Sequence, residues 1–177
     1  RKFFTISEKY YNKMADKKIL QNERDKLQRN FSLSKYALKK YSNFQVIYFD
    51  KDVVKDGLCD DLQFQSEIEQ IFQIISEFVP NDKIIRKYKP NRTTDYNKGR
   101  INIGEIIPDH IPAEFLYNNN IDIYFGITSI ALANIERGNV ISLAYLITYF
   151  DPQMREGSVQ NQEKRKKGDK IYYPKTL

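Results

Sequence analysis

The chain has 177 residues, 41% of them hydrophobic and 29% charged, with a formal net charge of +6 and a mean hydropathy of -0.64. That leaves room for one domain with an arm or a tail, and not for two large domains. A single cysteine excludes an intrachain disulfide and a cysteine-rich zinc site, and no run of about eighteen apolar residues offers a membrane span.

Charge is unevenly spread. Residues 1–44 carry twelve basic and four acidic side chains, whereas 45–78 carry two basic and eight acidic ones. The last block, from 154 onward, returns to seven basic against three acidic. The pattern divides the chain into a basic helical arm (1–44), an α+β globular domain (45–153) and a basic, mostly extended tail (154–177). The aromatic residues are Tyr and Phe with no Trp, so buried rings often bring a hydroxyl that needs a partner.

From Thr5 to Tyr41 the composition is that of a long helix, free of Gly and Pro. Leu20, Leu27, Phe31, Leu38 and Tyr41 follow one another at steps of seven, four, seven and three, a coiled-coil-like seam for a partner helix or a second copy. Gln45 to Asp50 reads as a strand buried on both sides. Ser66 is placed as the N-cap of a helix carrying Ile68, Ile71, Phe72, Ile75, Phe78 and Val79 at helical spacing, stopped by Pro80. Asp82 to Lys89 is expected to be a charged edge strand, and "KPNRTTDYNKGR" a loop. A short strand is placed near Ile101 to Ile103. Pro108 and Pro112 forbid a central strand around His110, and a helical turn is placed from Ala113 to Tyr117.

The segment "IDIYFGITSIALANIERGNVISLAYLITYF" is the apolar heart of the chain. It admits two readings: strand, helix, strand with Thr128 as cap, or a long antiparallel hairpin turning at "ERGN" with positive φ at Gly138. The hairpin is favoured, since a helix of about ten residues is short for a parallel crossover. In either case a central strand is expected within Val140 to Phe150. The fold expected is therefore α+β: a small, mostly antiparallel sheet covered by an amphipathic helix, with a long N-terminal helical arm and an extended C-terminal tail that orders on binding.

Candidate chemistry is concentrated in "VIYFDKDVVKDG". A hydrophobic strand followed by Asp-x-Asp-x-Val resembles the first motif of the haloacid dehalogenase superfamily of phosphotransferases. The resemblance implies Asp50 as nucleophile, Asp52 as general acid/base and Mg²⁺ bridging carboxylate and phosphate. It covers about eight residues, and the remainder of the family pattern departs. Thr128 is the candidate for the later Ser or Thr, the acid pair Asp60 and Asp61 comes too early, and Asp169 follows "KRKKG" and not an apolar strand. The acids do not make a calcium loop either, because Val54 and Lys55 occupy its fifth and sixth positions. His110 stands alone, Cys59 has acidic neighbours that disfavour a thiolate, and Gly104, Gly126 and Gly138 form no phosphate-binding loop.

Basic residues carry the other candidate surface. Lys87, Lys89, Arg92, Tyr96, Lys98 and Arg100, with Lys164, Arg165, Lys166 and Lys167 of the tail, suit phosphate contacts and base stacking. The reading drawn from the sequence is a non-catalytic structural or assembly subunit, an adaptor of a larger complex that contacts other protein subunits through arm and tail. It needs no catalytic residue, cofactor or metal. A nucleic-acid-binding module is the alternative. Because the chain opens on Arg1, an upstream anchor is a further option, making this the soluble part of a membrane-anchored secretion or pilus-type assembly protein.

Overall fold

The computed structural model describes residues 21–88, 103–117, 121–168 and 170–177. Among them are strands β1 (Val46–Phe49), β2 (Ile84–Lys87), β3 (Glu105–Ile106), β4 (Ile123–Gly126), β5 (Asn139–Ser142) and β6 (Ile171–Tyr172). Helices are α1 (Gln21–Lys40), α2 (Asp61–Phe78), α3 (Ile130–Ala133) and α4 (Pro152–Arg165). The strands form one sheet in the order β3-β2-β1-β4-β5-β6, with every neighbouring pair parallel.

β1 lies between β2 and β4, with Val46 opposite both Ile84 and Ile123. All four of its residues are buried, as expected of a parallel strand covered on both faces. One face, carrying Val46, Tyr48, Ile84 and Phe125, packs on α2 through Phe64, Ile68, Ile71 and Phe72. Here the Tyr48 and Phe72 rings meet edge to face at 5.1 Å. The opposite face carries Ile47, Phe49, Ile85, Tyr124 and Val140, and packs on Ala37 and Tyr41, on Ile107 to Leu116, and on Leu132 and Ile135. Burying each such side chain contributes about 1.5–3 kcal/mol.

The antiparallel α+β expectation is overturned: this is an α/β fold with a parallel sheet. The favoured hairpin at "ERGN" is a strand-helix-strand crossover, in which residues 127–138 carry the chain from β4 over α3 to a parallel β5. Gly138 does adopt positive φ, at 103°, but in the turn that enters β5. The four-residue strands are too short to show whether their apolar runs alternate for an antiparallel sheet or persist for a covered parallel one. Val140 to Phe150 does not continue as a strand either; β5 stops at Ser142, and Ala144–Leu146 is a 3-10 turn.

Four further corrections follow. The long arm is replaced by a helix whose end belongs to the domain, with Ala37 and Tyr41 fully buried; residues 1–20 lie outside the described ones. The extended tail is largely the helix α4, capped by Asp151, whose side chain accepts from the Gln153 amide at 2.8 Å, and continued into β6 at the edge of the sheet. α4 buries one apolar side chain, Val159, together with Gln162, so it has no apolar stripe to betray it. β2 is an interior strand and not an edge. α2 begins at Asp61, capped by Asp60, and not at Ser66. Glu67 is thereby released from the first turn, and its carboxylate accepts from the Thr148 backbone amide at 2.8 Å.

No helix among the described residues is long and apolar enough to cross a membrane.

Candidate functional site

In an open parallel sheet, strand order reverses where successive connections leave in opposite directions, and the carboxyl ends of the two strands there splay apart into a crevice. In this protein the chain passes from β1 to β2 and β3 on one side, then to β4, β5 and β6 on the other. The crevice falls between β1 and β4. It opens into a cleft of about 510 Å³ whose lining includes Asp50 and Lys51 beyond β1, Lys87 and Tyr88 at the end of β2, and Thr128 and Ser129 beyond β4. This is within the usual range for small-molecule sites, about 300–1,000 Å³.

Each polar group is set by its strand. The Asp50 amide continues the β1–β2 ladder by donating to the Lys87 carbonyl at 2.9 Å. Asp50 is 5% exposed, and its Oδ1 accepts from the Lys51 amide at 2.8 Å and from Tyr48 Oη at 3.1 Å. Burial and the adjoining carboxylate push the Tyr48 hydroxyl well above the usual tyrosine range, so it acts as a donor. Lys51 reaches across the crevice, its Nζ donating to Thr128 Oγ1 at 2.7 Å. Lys87 is 2% exposed, with Nζ 3.4 and 3.5 Å from the Pro108 and Asp109 carbonyl oxygens.

The floor thus brings two ammonium groups and two hydroxyls together beside one buried carboxylate. Phe49, Tyr88, Tyr117, Ile130 and Ala131 give the walls apolar and aromatic surface, and the exposed carboxylates Asp109 and Glu114 also line the cleft. Asp52, 9% exposed, does not line it; its carbonyl accepts from the Asp56 amide in the following turn. The acid pair Asp50 and Asp52 therefore does not converge on this cleft. No group of three His, Cys, Asp or Glu side chains able to hold a metal ion occurs among the described residues. The cleft's carboxylates Asp50, Asp109 and Glu114 form no such group, and with two lysines in the same lining the set does not fit the Mg²⁺ site that the dehalogenase resemblance implies.

Of the other residues singled out in the sequence, Leu20 and the side chain of Leu27 lie outside the described residues. Phe31 is 43% exposed, Leu38 half-buried and Tyr41 buried in the domain core. Lys89, Arg92, Tyr96, Lys98 and Arg100 also lie outside the described residues. Lys164, Arg165, Lys166 and Lys167 are exposed at and just beyond the end of α4, and Lys166 pairs with Glu163 at 2.8 Å. Lys87 is separate from them, inside the cleft. Cys59 is buried, its thiol pushed up to about 11 mainly by desolvation, which leaves it a poor nucleophile.

Lys51, Ser129 and Gln162 were not singled out. The available signal was the pair of short apolar strands "VIYF" and "IYFG", each followed within a few residues by polar side chains. Two parallel strands ending side by side bring those side chains to one edge. Compared with protein-family models, with curated proteins and with solved structures, the chain gives no significant match. What the fold and the cleft define is a class, an α/β protein with a parallel sheet and a polar crevice at its switch point.

Proposed function

We propose that this domain binds a phosphate-bearing small molecule of about nucleotide size at the carboxyl edge of its sheet. The observation that carries the reading is the meeting of Lys51, Lys87, Thr128 and Ser129 at the switch point, in a cleft with aromatic and apolar walls. Ammonium and hydroxyl groups suit phosphate oxygens, and the Tyr88, Tyr117 and Ile130 side suits a ring. The carboxylates Asp109 and Glu114 disfavour a polyanion laid over the mouth, so a small anionic group reaching inward is preferred to a nucleic-acid strand. Beyond Tyr88 the sequence adds Lys89, Arg92, Lys98 and Arg100 against Asp95, which keeps the neighbouring chain basic.

Titration calorimetry with inorganic pyrophosphate and a panel of nucleoside 5′-diphosphates tests this. Micromolar to low-millimolar binding that weakens with salt is expected. Asp50→Asn keeps the acceptor oxygen, removes negative charge and tightens binding, whereas a nucleophilic Asp50 would lose a Mg²⁺-dependent turnover in that variant. Absence of binding by any of these ligands sinks the reading.

A second reading, assembly with other protein subunits through α1, is supported by Phe31 and Tyr36, 43% and 48% exposed on that helix. It predicts an oligomer or complex whose native mass falls to that of one chain in Phe31→Ser with Tyr36→Ser. An unchanged mass would end it.

A further inference from the structure

The turn that presents Thr128 and Ser129 is held in part by a buried side chain from α4. Gln162, on α4, is 1% exposed and lines the cleft. Its Nε2 donates to the Ser129 carbonyl at 2.9 Å, and its Oε1 lies 3.1 Å from Ser142 Oγ at the end of β5. Ser142 Oγ, with a single proton to give, also lies beside the Ile127 carbonyl and shares that proton between the two acceptors. A carbonyl only accepts, so the amide end facing Ser129 has to be the nitrogen. The same Ser129 carbonyl accepts from the Leu132 amide at 3.1 Å, and Ser129 Oγ accepts from the Ala131 amide at 3.3 Å. One amide therefore ties the end of β5 and the start of α3 to a helix much further along the chain.

Burying a primary amide is costly unless both ends are bonded, and a hydrophobic residue would hold α4 with less demand on geometry. α4 buries one apolar side chain, Val159, and Gln162 is its buried polar contact with the turn. We propose that Gln162 is a positioning residue of the cleft: it fixes the Ser129 backbone, and through it the Thr128 and Ser129 hydroxyls, on the cleft that Lys51 and Lys87 also line. The proposal rests on the phosphate-ligand reading of the cleft. It adds that affinity is governed by a C-terminal helix residue that acts through the turn and not by contact with the phosphate.

The test compares Gln162→Met, which keeps volume and removes the donor, with Val159→Ala, which trims the buried apolar side chain of α4 and leaves both ends of the amide in place. Pyrophosphate affinity is measured by calorimetry, stability by the urea midpoint, and the turn by the ¹H–¹⁵N amide signals of Ser129 to Leu132 in the ligand-free protein. Gln162→Met is expected to move those signals and weaken pyrophosphate about tenfold, the size of one lost hydrogen bond of about 1.4 kcal/mol. Val159→Ala is expected to lower the urea midpoint and leave affinity within about twofold. Should Gln162→Met not fold, Gln162→Asn, a methylene shorter, loses the same bond and takes its place. Shifted signals with unchanged affinity, or unmoved signals, overturn the proposal. A wild-type protein that binds no pyrophosphate or nucleotide sinks the functional reading instead, and the amide signals then separately decide whether Gln162 holds the turn.

Discussion

Lys87 illustrates how a site residue can differ from a folding residue. An ammonium group 2% exposed at the end of an interior strand is held where burial disfavours charge, with carbonyl oxygens 3.4 and 3.5 Å away. Lys87→Met keeps the stem packed and removes the charge. We expect at least a tenfold loss of pyrophosphate affinity, about 1.4 kcal/mol or more, and a lower urea midpoint as well, because the buried Asp50 carboxylate loses a positive charge from its cleft. Pyrophosphate affinity within about twofold of wild type would show that Lys87 takes no part in binding. The buried acids of high pKa give a second prediction. Burial lifts Cys59 from 9.0 to about 11, and Tyr124 and Tyr149 from 10.0 to about 12. Each raised value makes a contribution that is complete below the unfolded pKa and is lost as pH climbs through the folded one. The urea midpoint should therefore hold from about pH 7 to 8.5 and decline between about pH 9 and 12; a decline confined to the neutral range would contradict this. Asp50 was legible in the sequence as a strand-end acid, and Lys87 as a basic residue. Ser129 and Gln162 were not, because a neutral side chain shows its role only through the carbonyl or hydroxyl it meets.

At the scale of elements, the helix starts and strand ends that frame the cleft can be tested singly. Asp60 Oδ1 accepts from the Gln63 amide at 3.0 Å, and Asp60→Ala should cost about 1 kcal/mol by equilibrium unfolding. A loss below about 0.3 kcal/mol would show that the cap matters little. Gly126 closes β4 against β1, where a Cβ would lie 2.5 Å from the Phe49 carbonyl oxygen. Gly126→Ala should cost about 1–3 kcal/mol and disturb the strand end beside Asp50; a neutral effect would mean that β4 shifts without strain. α2 was legible from its apolar spacing, while its first turn was missed because Ser66 and Glu67 imitate a cap. The parallel crossover was missed because α3 spans only Ile130–Ala133, less than the helix such a connection normally carries. α4 was missed because it carries no apolar stripe: Val159 and Gln162 are its buried residues.

For the molecule as a whole, the parallel order of the strands matters more to function than any one residue. It places the ends of β1, β2 and β4 together at one edge, so that side chains from positions 50, 87 and 128 share one cleft. An antiparallel sheet would have divided strand ends between two edges and left Asp50 in a solvated turn, which is how the sequence by itself reads. Composition did convey the aromatic residues that fill the packing on both faces of the sheet. It could not convey the parallel register that brings Asp50, Lys87 and Thr128 to one edge. The most direct measurement of the central claim is an NMR titration of the full chain with a nucleoside 5′-diphosphate, following backbone amides. The account predicts saturable shifts at Asp50, Lys51, Tyr88 and Thr128 to Ala131, with the exposed Lys164 to Lys167 run unmoved. Shifts confined to that run, or no saturable shift at the cleft, would contradict it.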